Sequence, residues 1–594
     1  AEVGLLTRNV VVRGAADDSP PVDPQPPTTS CESMVYSEVP CIGYFLTGYG
    51  GHLIILDGAS GRVSAAEFYR MGQTNVIGRY PVHLHLLGAA GEASFVSDCS
   101  VHESYYRGIV VHGTNNSLIT RNVAFDVTGH CFYMESGNEE NNEMSFNLGA
   151  HVHTIGHFLD FRGQEAGTTF NSSDLGGAKV PADGAASPFY ISNLHNNFTG
   201  NAAVGGFSGF SMVSFPKVIG PWPAGSEVDD AFVPMNRPGL QNGFYGNSAR
   251  STGYWWNLGP CFYVGGVLQE DVNSGSLLYT PGRPNLGPSG QRRKPQLLDG
   301  EGDAWFTFVN NKGSLCNVAG GDWNVRSKWY NMDVIDVGTF SFNAFGKVVF
   351  RNIFVQCRTA NGLAVVPPTQ QTYWEKAWRD KSFRVFRAYD TGQNHVLDSW
   401  RIQDCGTKAS PAESKGFRYA QVWSIPHGVN VNQNQLAMRN VTYVDGPPDP
   451  AKLFSFDVGA QGTYGAYFAS FLDADGSLTG RAVIGGLCRP TIVGSANTIR
   501  SLSGGTYYVT PPNLWYKLSG LDDGGPRGSA NHSDERCDLL ATAEYPMWAC
   551  DRGSISIGAI MVQPNSRAES TARTKQLWGH VAHFGDDLLL DGPP

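Results

Sequence analysis

One stretch of this chain recurs without a gap, and that repeat limits what the chain can fold into. Ser94–His112 reads SFVSDCSVHESYYRGIVVH and returns 23 residues later as Ser117–Glu135, SLITRNVAFDVTGHCFYME. Val101 falls over Ala124, Glu103 over Asp126, Arg107 over His130 and His112 over Glu135. A third copy starts near Asn142 (NEMSFNLGAHVH), and Tyr80–His85 (YPVHLH) aligns with Arg107–His112 and His130–Glu135. Arg-Asn-(Val/Ile) recurs at Arg121, Arg351 and Arg439, and Phe198–Ala203 matches Phe244–Ala249. Units of about 22–27 residues that hold short strands and Asn/Gly turns are the rungs of a solenoid. A single rung cannot bury its apolar side chains. Rungs stacked about 4.8 Å apart bury a continuous core and pair the backbone. A recurring Asn can run an amide ladder down such a stack, and an Asn440 placed in one would be buried despite its glycosylation sequon.

The expected fold is therefore all-β: a right-handed parallel β-helix over residues 1–490 with loop insertions, then a β-rich cap or small module over 491–594. A Pro- and Asp-rich insertion lies near 14–30, and further Pro/Gly-rich loops lie near 215–240 and 270–300. Charged residues make up only 16% of the chain, against about 25% in an average soluble protein. Helix formers are scarce, and Thr372–Phe386 is one of few stretches that read as helix. The net charge of −10 lacks the basic footprint of a nucleic-acid binder, although a local basic cluster can still hold an acidic sugar. No apolar run reaches the length of a membrane span. The chain begins at Ala1 without Met or a signal segment, and reads as a processed protein or a fragment of a longer, membrane-anchored or secreted parent.

Of the eleven cysteines, Cys31 and Cys41 bracket a short loop, as do Cys537 and Cys550, and both pairs read as local disulfides. Cys99 and Cys131 lie inside strand patterns and read equally well as buried thiols. Sequons stand at Asn115, Asn171, Asn197, Asn440 and Asn531, and glycosylation is expected at all but Asn440.

Ten of the fifteen histidines fall between His52 and His195. Strand parity sends Val82/Leu84, Ile109/Val111 and Phe132/Met134 to the core and leaves His83/His85, Val110/His112 and Tyr133/Glu135 on the other side. His85, His112 and Glu135 then form one outward column over three rungs, with Arg79, Asp98, His102, Glu103, Arg107, Asp126, His130, Glu139 and Glu140 in nearby turns. Carboxylates and imidazoles at a glycosidic bond can act as acid and base, and arginines can pair with a uronate. The expected catalytic set is His85, His112, Glu135, Glu139 and Arg107, and the expected substrate-binding set is Arg79, His83, Asp98, His102 and His130. His-x-His occurs at His83/His85 and His151/His153, but no closed four-ligand metal set is readable. Asp473-Ala-Asp475-Gly can begin a Ca2+ loop, although the distal acid is missing and an Asx-turn also explains it; no cofactor is certain.

The phrases EVGLLTRNVVVRG (Glu2–Gly14), RMGQTNVIGRYPVHLHLLG (Arg70–Gly88), DCSVHESYYRGIVVHGTN (Asp98–Asn115) and GHCFYMESGNEENN (Gly129–Asn142) resemble the region after the G8 domain in a cell-surface family. Its members include hyaluronan-degrading proteins of the cell migration-inducing hyaluronidase and transmembrane protein 2 type, and fibrocystin-like proteins. The resemblance implies a parallel β-helix, an extracellular or cell-surface location, an upstream G8 domain and action on a hyaluronan-like polysaccharide. Fibrocystin-like relatives share the phrases while looking like surface-coat or ciliary receptors. Two functions follow as expectations: a polysaccharide depolymerase, or a non-enzymatic coat, filament or ciliary-surface module. Partners would be polysaccharide, glycoprotein glycans or other coat chains.

Overall fold

The computed structural model describes residues 3–16, 48–153 and 186–214 with single-residue breaks at 57 and 75, and beyond 234 chiefly the strands. Backbone contacts group the chain into two units. The first holds Ala1–Gly346, Phe354–Phe383 and Pro411–Arg418; the second holds Lys347–Ile353, Arg384–Ser410 and Tyr419–Pro594.

The first unit is a parallel β-helix with three strands per rung. The first face stacks Arg62–Ser64, Phe95–Ser97, Leu118–Thr120, Glu143–Ser145, Asn197–Thr199 and Phe244–Tyr245. The second face stacks Val10–Arg13, Ala66–Tyr69, Ser100–Ser104, Val123–Thr128, Leu148–His153, Ala202–Val204 and Ser248–Arg250. The third face stacks Leu53–Ile55, Val82–Gly88, Ile109–Thr114, Phe132–Met134, Phe189–Ile191, Phe210–Ser214 and Pro260–Glu270. The register is the one expected from the repeat: Val101 pairs with Ala124, Ile109 with Phe132, and His85 with His112. The core parity of the third face carries Phe132, Phe189, Phe210 and Phe262, whose rings stack at centroid spacings of 4.8, 4.6 and 5.3 Å. These spacings match the rise between paired strands, and each buried ring contributes about 1.5–3 kcal/mol.

The bend between the first two faces explains the recurrent asparagines. Asp98, Arg121, Phe146, Gly200 and Gly246 each close a strand of the first face, and Asn310 closes Phe306–Val309, which pairs with Phe244–Tyr245, all with φ between 54° and 68°. A left-handed residue turns the chain there, and the residue after it points inward. In five rungs that next residue is a buried Asn: Asn122, Asn147, Asn201, Asn247 and Asn311. Their amides run a ladder, with Asn122 donating to Asn147, Asn147 to Asn201, and Asn201 to Asn247, each at 3.0 Å. The backbone N–H of Asn247 then donates to Asn311 at 2.9 Å.

Asn440 is not part of such a ladder. It is exposed, and it and Asn352 are themselves the left-handed residues, at φ 53° and 55°, whereas in Arg121-Asn122 it is the Arg that turns. The phrase Arg-Asn thus occurs in two phases. In the second unit it clamps a buried acid: Arg351 and Arg439 reach Asp398 Oδ2 at 3.2 and 2.8 Å. Burial raises the Asp398 carboxyl, but the hydrogen bonds from Arg439 and Ser399 outweigh it and hold it below its ordinary value.

The second unit begins with parallel pairing. Asn394–Gln403 lies against Gln433–Arg439 and Thr442–Tyr443, and Trp423–Pro426 lies against Phe454–Asp457. Pairing changes at Phe468–Asp473, which is parallel to Gln433–Arg439 but antiparallel to Pro490–Gly494. Met547–Asp551 and Cys537–Leu540 continue antiparallel, with Cys537 opposite Cys550. Arg384–Ala388 is a strand, so the end of the stretch read as helix is extended; residues 372–383 lie outside the described residues. Among the described residues no helix is long and apolar enough to cross a membrane.

Cys261 and Cys316 form a disulfide across 55 residues of sequence, and Cys357 and Cys405 are disulfide-bonded too. Cys99 and Cys131 are buried free thiols. Cys31 and Cys41 lie outside the described residues. Among the sequons, Asn115 and Asn197 are half-buried, and Asn171 and Asn531 lie outside the described residues.

Candidate functional site

The column His85, His112, Glu135 exists, but most of it does not face open water. His112 is 6% exposed and Glu135 9% exposed; only His85 is half-buried. Most of the outer parity of the third face is covered: His83, Val110, Tyr133, Tyr190, Ser211 and Tyr263 are all buried, whereas Ile54 and His85 are half-buried. A sheet buried on both faces carries apolar residues at both parities. Val110 and Tyr133 were the sequence signal for this.

The three rings are brought together by register and by a bulge. His83 and His85 project from the same side of one strand, and His85 pairs with His112 on the next rung. The register then shifts before Gly88, with Leu86 at φ 56°. Such a bulge re-aims the side chains beside it. Ring centroids of His83 and His112 lie 5.8 Å apart, stacked, and His85 sits edge-on to both at 4.9 Å. Burial, then the neighbouring imidazoles, push His83 well below its ordinary value. The same two causes lower His85, against Glu135. Both rings are therefore neutral near pH 7.

Glu135 lies beside them, with Oε2 3.6 Å from His112 Nδ1 and 3.9 Å from His83 Nε2. Its Oε1 accepts a hydrogen bond from the Tyr80 hydroxyl at 3.2 Å, and Tyr80 in turn accepts one from Arg107 Nη1 at 3.1 Å. The polar tyrosines of this site were not singled out from the sequence, although Tyr80 opens the repeat at the position of Arg107.

Four of the expected site residues are corrected by their surroundings. Arg107 is fully buried, its guanidinium 4.1 Å from the Tyr133 ring centroid and 4.9 Å from that of Tyr106, so it braces the site and cannot clamp a uronate. Glu139 is fully buried and already committed: it accepts hydrogen bonds from the backbone N–H groups of Gly113, Ser136 and Gly137 at 2.9, 2.9 and 2.7 Å, which leaves it no part as a proton donor. His130 is fully buried too, accepts the Ser187 N–H at 3.0 Å and packs on Tyr133 and Tyr190, out of reach of a ligand. Asp98 is on the bend after the first face, in a bidentate pair with Arg121 at 2.7 and 2.8 Å.

His102 belongs to the second face, where it meets Glu67 at 3.1 Å and stacks on Tyr69. Asp126, His151 and His153 are on that face as well, apart from the strands of the His85 column. Asp126 is hydrogen-bonded to His153, and that bond comes first among the causes that lower its carboxyl. Arg79 is exposed and touches His52 at 2.6 Å, in the turn that leads into the His83 strand. His157 and Asp475 lie outside the described residues, as does the side chain of Asp473.

Among the described residues, two groups have the donor types and closeness for a metal ion: His83, His85 and His112, and Asp126, His151 and His153.

Residues 48–254, which hold every strand of this site, match the family model described as CEMIP beta-helix. That stretch is similar to a CEMIP beta-helix. A G8 domain-containing protein of Dictyostelium discoideum is 40% identical over 86% of this chain and 31% of its own length. The human cell surface hyaluronidase CEMIP2 is 37% identical over 34% of this chain and 14% of its own length. Mouse fibrocystin-L is 30% identical over 43% of this chain and 6% of its own length. The Dictyostelium relatives are spanned over only 29% to 42% of their length.

Proposed function

We propose that this β-helix belongs to an extracellular or cell-surface protein and that its third face binds and shortens an acidic, hyaluronan-like polysaccharide. One observation carries the reading: Glu135, a buried carboxylate with one oxygen held by Tyr80 and the other left without a hydrogen-bond partner, stands beside His83 and His112. A carboxyl kept out of water next to imidazoles is placed to carry a proton to or from a glycosidic oxygen. His85, the half-exposed member, is where the polymer reaches the pocket, and exposed Arg79 supplies the positive charge for a uronate. The disulfides suit an oxidising compartment, and the name of the human relative speaks of the cell surface and a hyaluronidase.

The test follows polymer length. Purified protein is incubated with hyaluronan and with chondroitin, and chain size is read by size-exclusion chromatography. Wild type is expected to shorten the polymer. Glu135→Gln is expected to abolish shortening while circular dichroism stays unchanged. Wild-type protein that leaves chain length untouched, or a Glu135→Gln protein as active as wild type, removes the depolymerase assignment. A second reading, binding without turnover in a surface coat, is favoured by the burial of all but His85 in the column and by the fibrocystin-L match. Retention of hyaluronan without shortening would select it.

A further inference from the structure

We infer that His83, His85 and His112 form a site for one divalent transition-metal ion of the zinc type. One ligating nitrogen from each ring lies within 4.8 Å of the others. Two of the rings come from alternate positions of one strand, and the third comes from the residue paired with His85 on the next rung. A solenoid can hold such a set rigidly, because strand spacing and rung spacing together fix all three backbones.

The buried polar atoms point to the same occupant. Nε2 of His83 and Nε2 of His112 are buried without a hydrogen-bond partner, and His83 is 1% exposed. Glu135 Oε2 beside them is also buried and unpartnered. Polar atoms left this way cost about 1–3 kcal/mol each, so three together call for an occupant. His83 Nδ1 donates to the Gly78 carbonyl at 3.3 Å. That bond fixes the tautomer and turns the Nε2 lone pair toward the other rings, as a supporting partner does for a metal-bound imidazole.

The donor set selects the metal. Imidazole nitrogens favour zinc, copper and nickel, whereas calcium and magnesium need oxygen ligands. At a bond length of about 2.1 Å, tetrahedral zinc holds its nitrogens about 3.4 Å apart, which small ring rotations supply. Three imidazoles leave one position open, and half-buried His85 marks its path to solvent. The inference stands whether or not the ligand is a glycan, since it is read out in metal content.

Asp126, His151 and His153 provide an internal control. Their donors already satisfy one another: His153 hydrogen-bonds Asp126, and His151 lies 3.7 Å from the same oxygen. The full chain is dialysed without chelator and analysed for bound metal by plasma mass spectrometry. Chelator-stripped protein is then titrated with Co2+, whose visible absorption reports tetrahedral nitrogen ligation. About one equivalent of zinc-type metal per chain is expected, with a matching Co2+ endpoint. His85→Ala removes the least buried of the three rings, and should weaken binding by more than the ~10–100-fold cost of losing an outer-shell partner. His112→Gln should do the same, and His153→Ala should leave binding unchanged. A wild-type chain that carries no metal and gives no Co2+ spectrum overturns the inference. So does metal that survives His85→Ala and His112→Gln but is lost with His153→Ala.

Discussion

Two glutamates four positions apart show how much a single residue's environment decides. Glu135 and Glu139 are indistinguishable as letters, yet one has an unpartnered oxygen beside imidazoles and the other is filled by three buried N–H groups. Glu139→Ala strands those donors at about 1–3 kcal/mol each. It should therefore lower stability by more than about 3 kcal/mol, read from urea midpoints, whereas Glu135→Gln should change it by less than about 1 kcal/mol. Equal losses would contradict the assignment of structure to one and chemistry to the other. The sequence held the register of His85, His112 and Glu135 because the repeat has no gap, but parity names only the side on which a residue projects. It does not say whether that side is covered, and so Arg107 and His130 were read as ligand-facing although both are fully buried. His395 is a further buried titratable group, lowered from 6.5 to about 3 by burial alone. Between those values the unfolded chain binds a proton that the folded chain refuses, so stability falls as pH drops, by up to about 1.4 kcal/mol per pH unit. Its two ring nitrogens have no hydrogen-bond partner. His395→Leu should therefore be less sensitive to acid between pH 6.5 and about 3, which urea midpoints across that window would reveal. A variant with the wild-type pH slope would refute this.

At the scale of the element, the bend and the ladder work as one device. A left-handed residue turns the strand, and the asparagine after it links its rung to the next. Asn147 accepts from the Asn122 backbone and amide at 3.0 Å and donates to Ile119 O and Asn201 at 2.9 and 3.0 Å. Asn147→Ala breaks all four bonds inside the core and is expected to cost more than about 2 kcal/mol by chemical denaturation, while Lys312→Ala, at an exposed strand position, should stay within about 0.5 kcal/mol. Similar losses at the two positions would mean that the ladder contributes little. Gly200 shows the other half of the device: at φ 64°, with a Cβ that would meet the Phe146 ring at 2.7 Å, it spares both the left-handed strain and a displacement of that ring. The ladder was foreseen from recurring Asn, but its phase was not. Arg121-Asn122 and Arg439-Asn440 share their letters while the turn falls on Arg in one and on Asn in the other, because only the residue that takes the positive φ sets the phase.

For the whole molecule, the repeat foretold a parallel β-helix because stacking is the one way such rungs bury their apolar residues. The long-range cross-link escaped notice for an equally physical reason. Spacing reveals a disulfide only when the loop it closes is short, and Cys261 and Cys316 are 55 residues apart. In the fold they join the strand Pro260–Glu270 to the segment just before Val318–Asp322, its parallel partner on the next rung. The bond therefore closes the long excursion between two consecutive rungs. A closed loop of that length removes about 4 kcal/mol of unfolded-chain entropy. Cys261→Ser with Cys316→Ser should lower the urea midpoint of the first unit by a comparable stability, and reductant should destabilise wild type by more than it destabilises the double variant, which keeps the disulfide bonding of Cys357 and Cys405. A double variant as stable as wild type would show that stacking and the asparagine ladder alone hold these rungs in register.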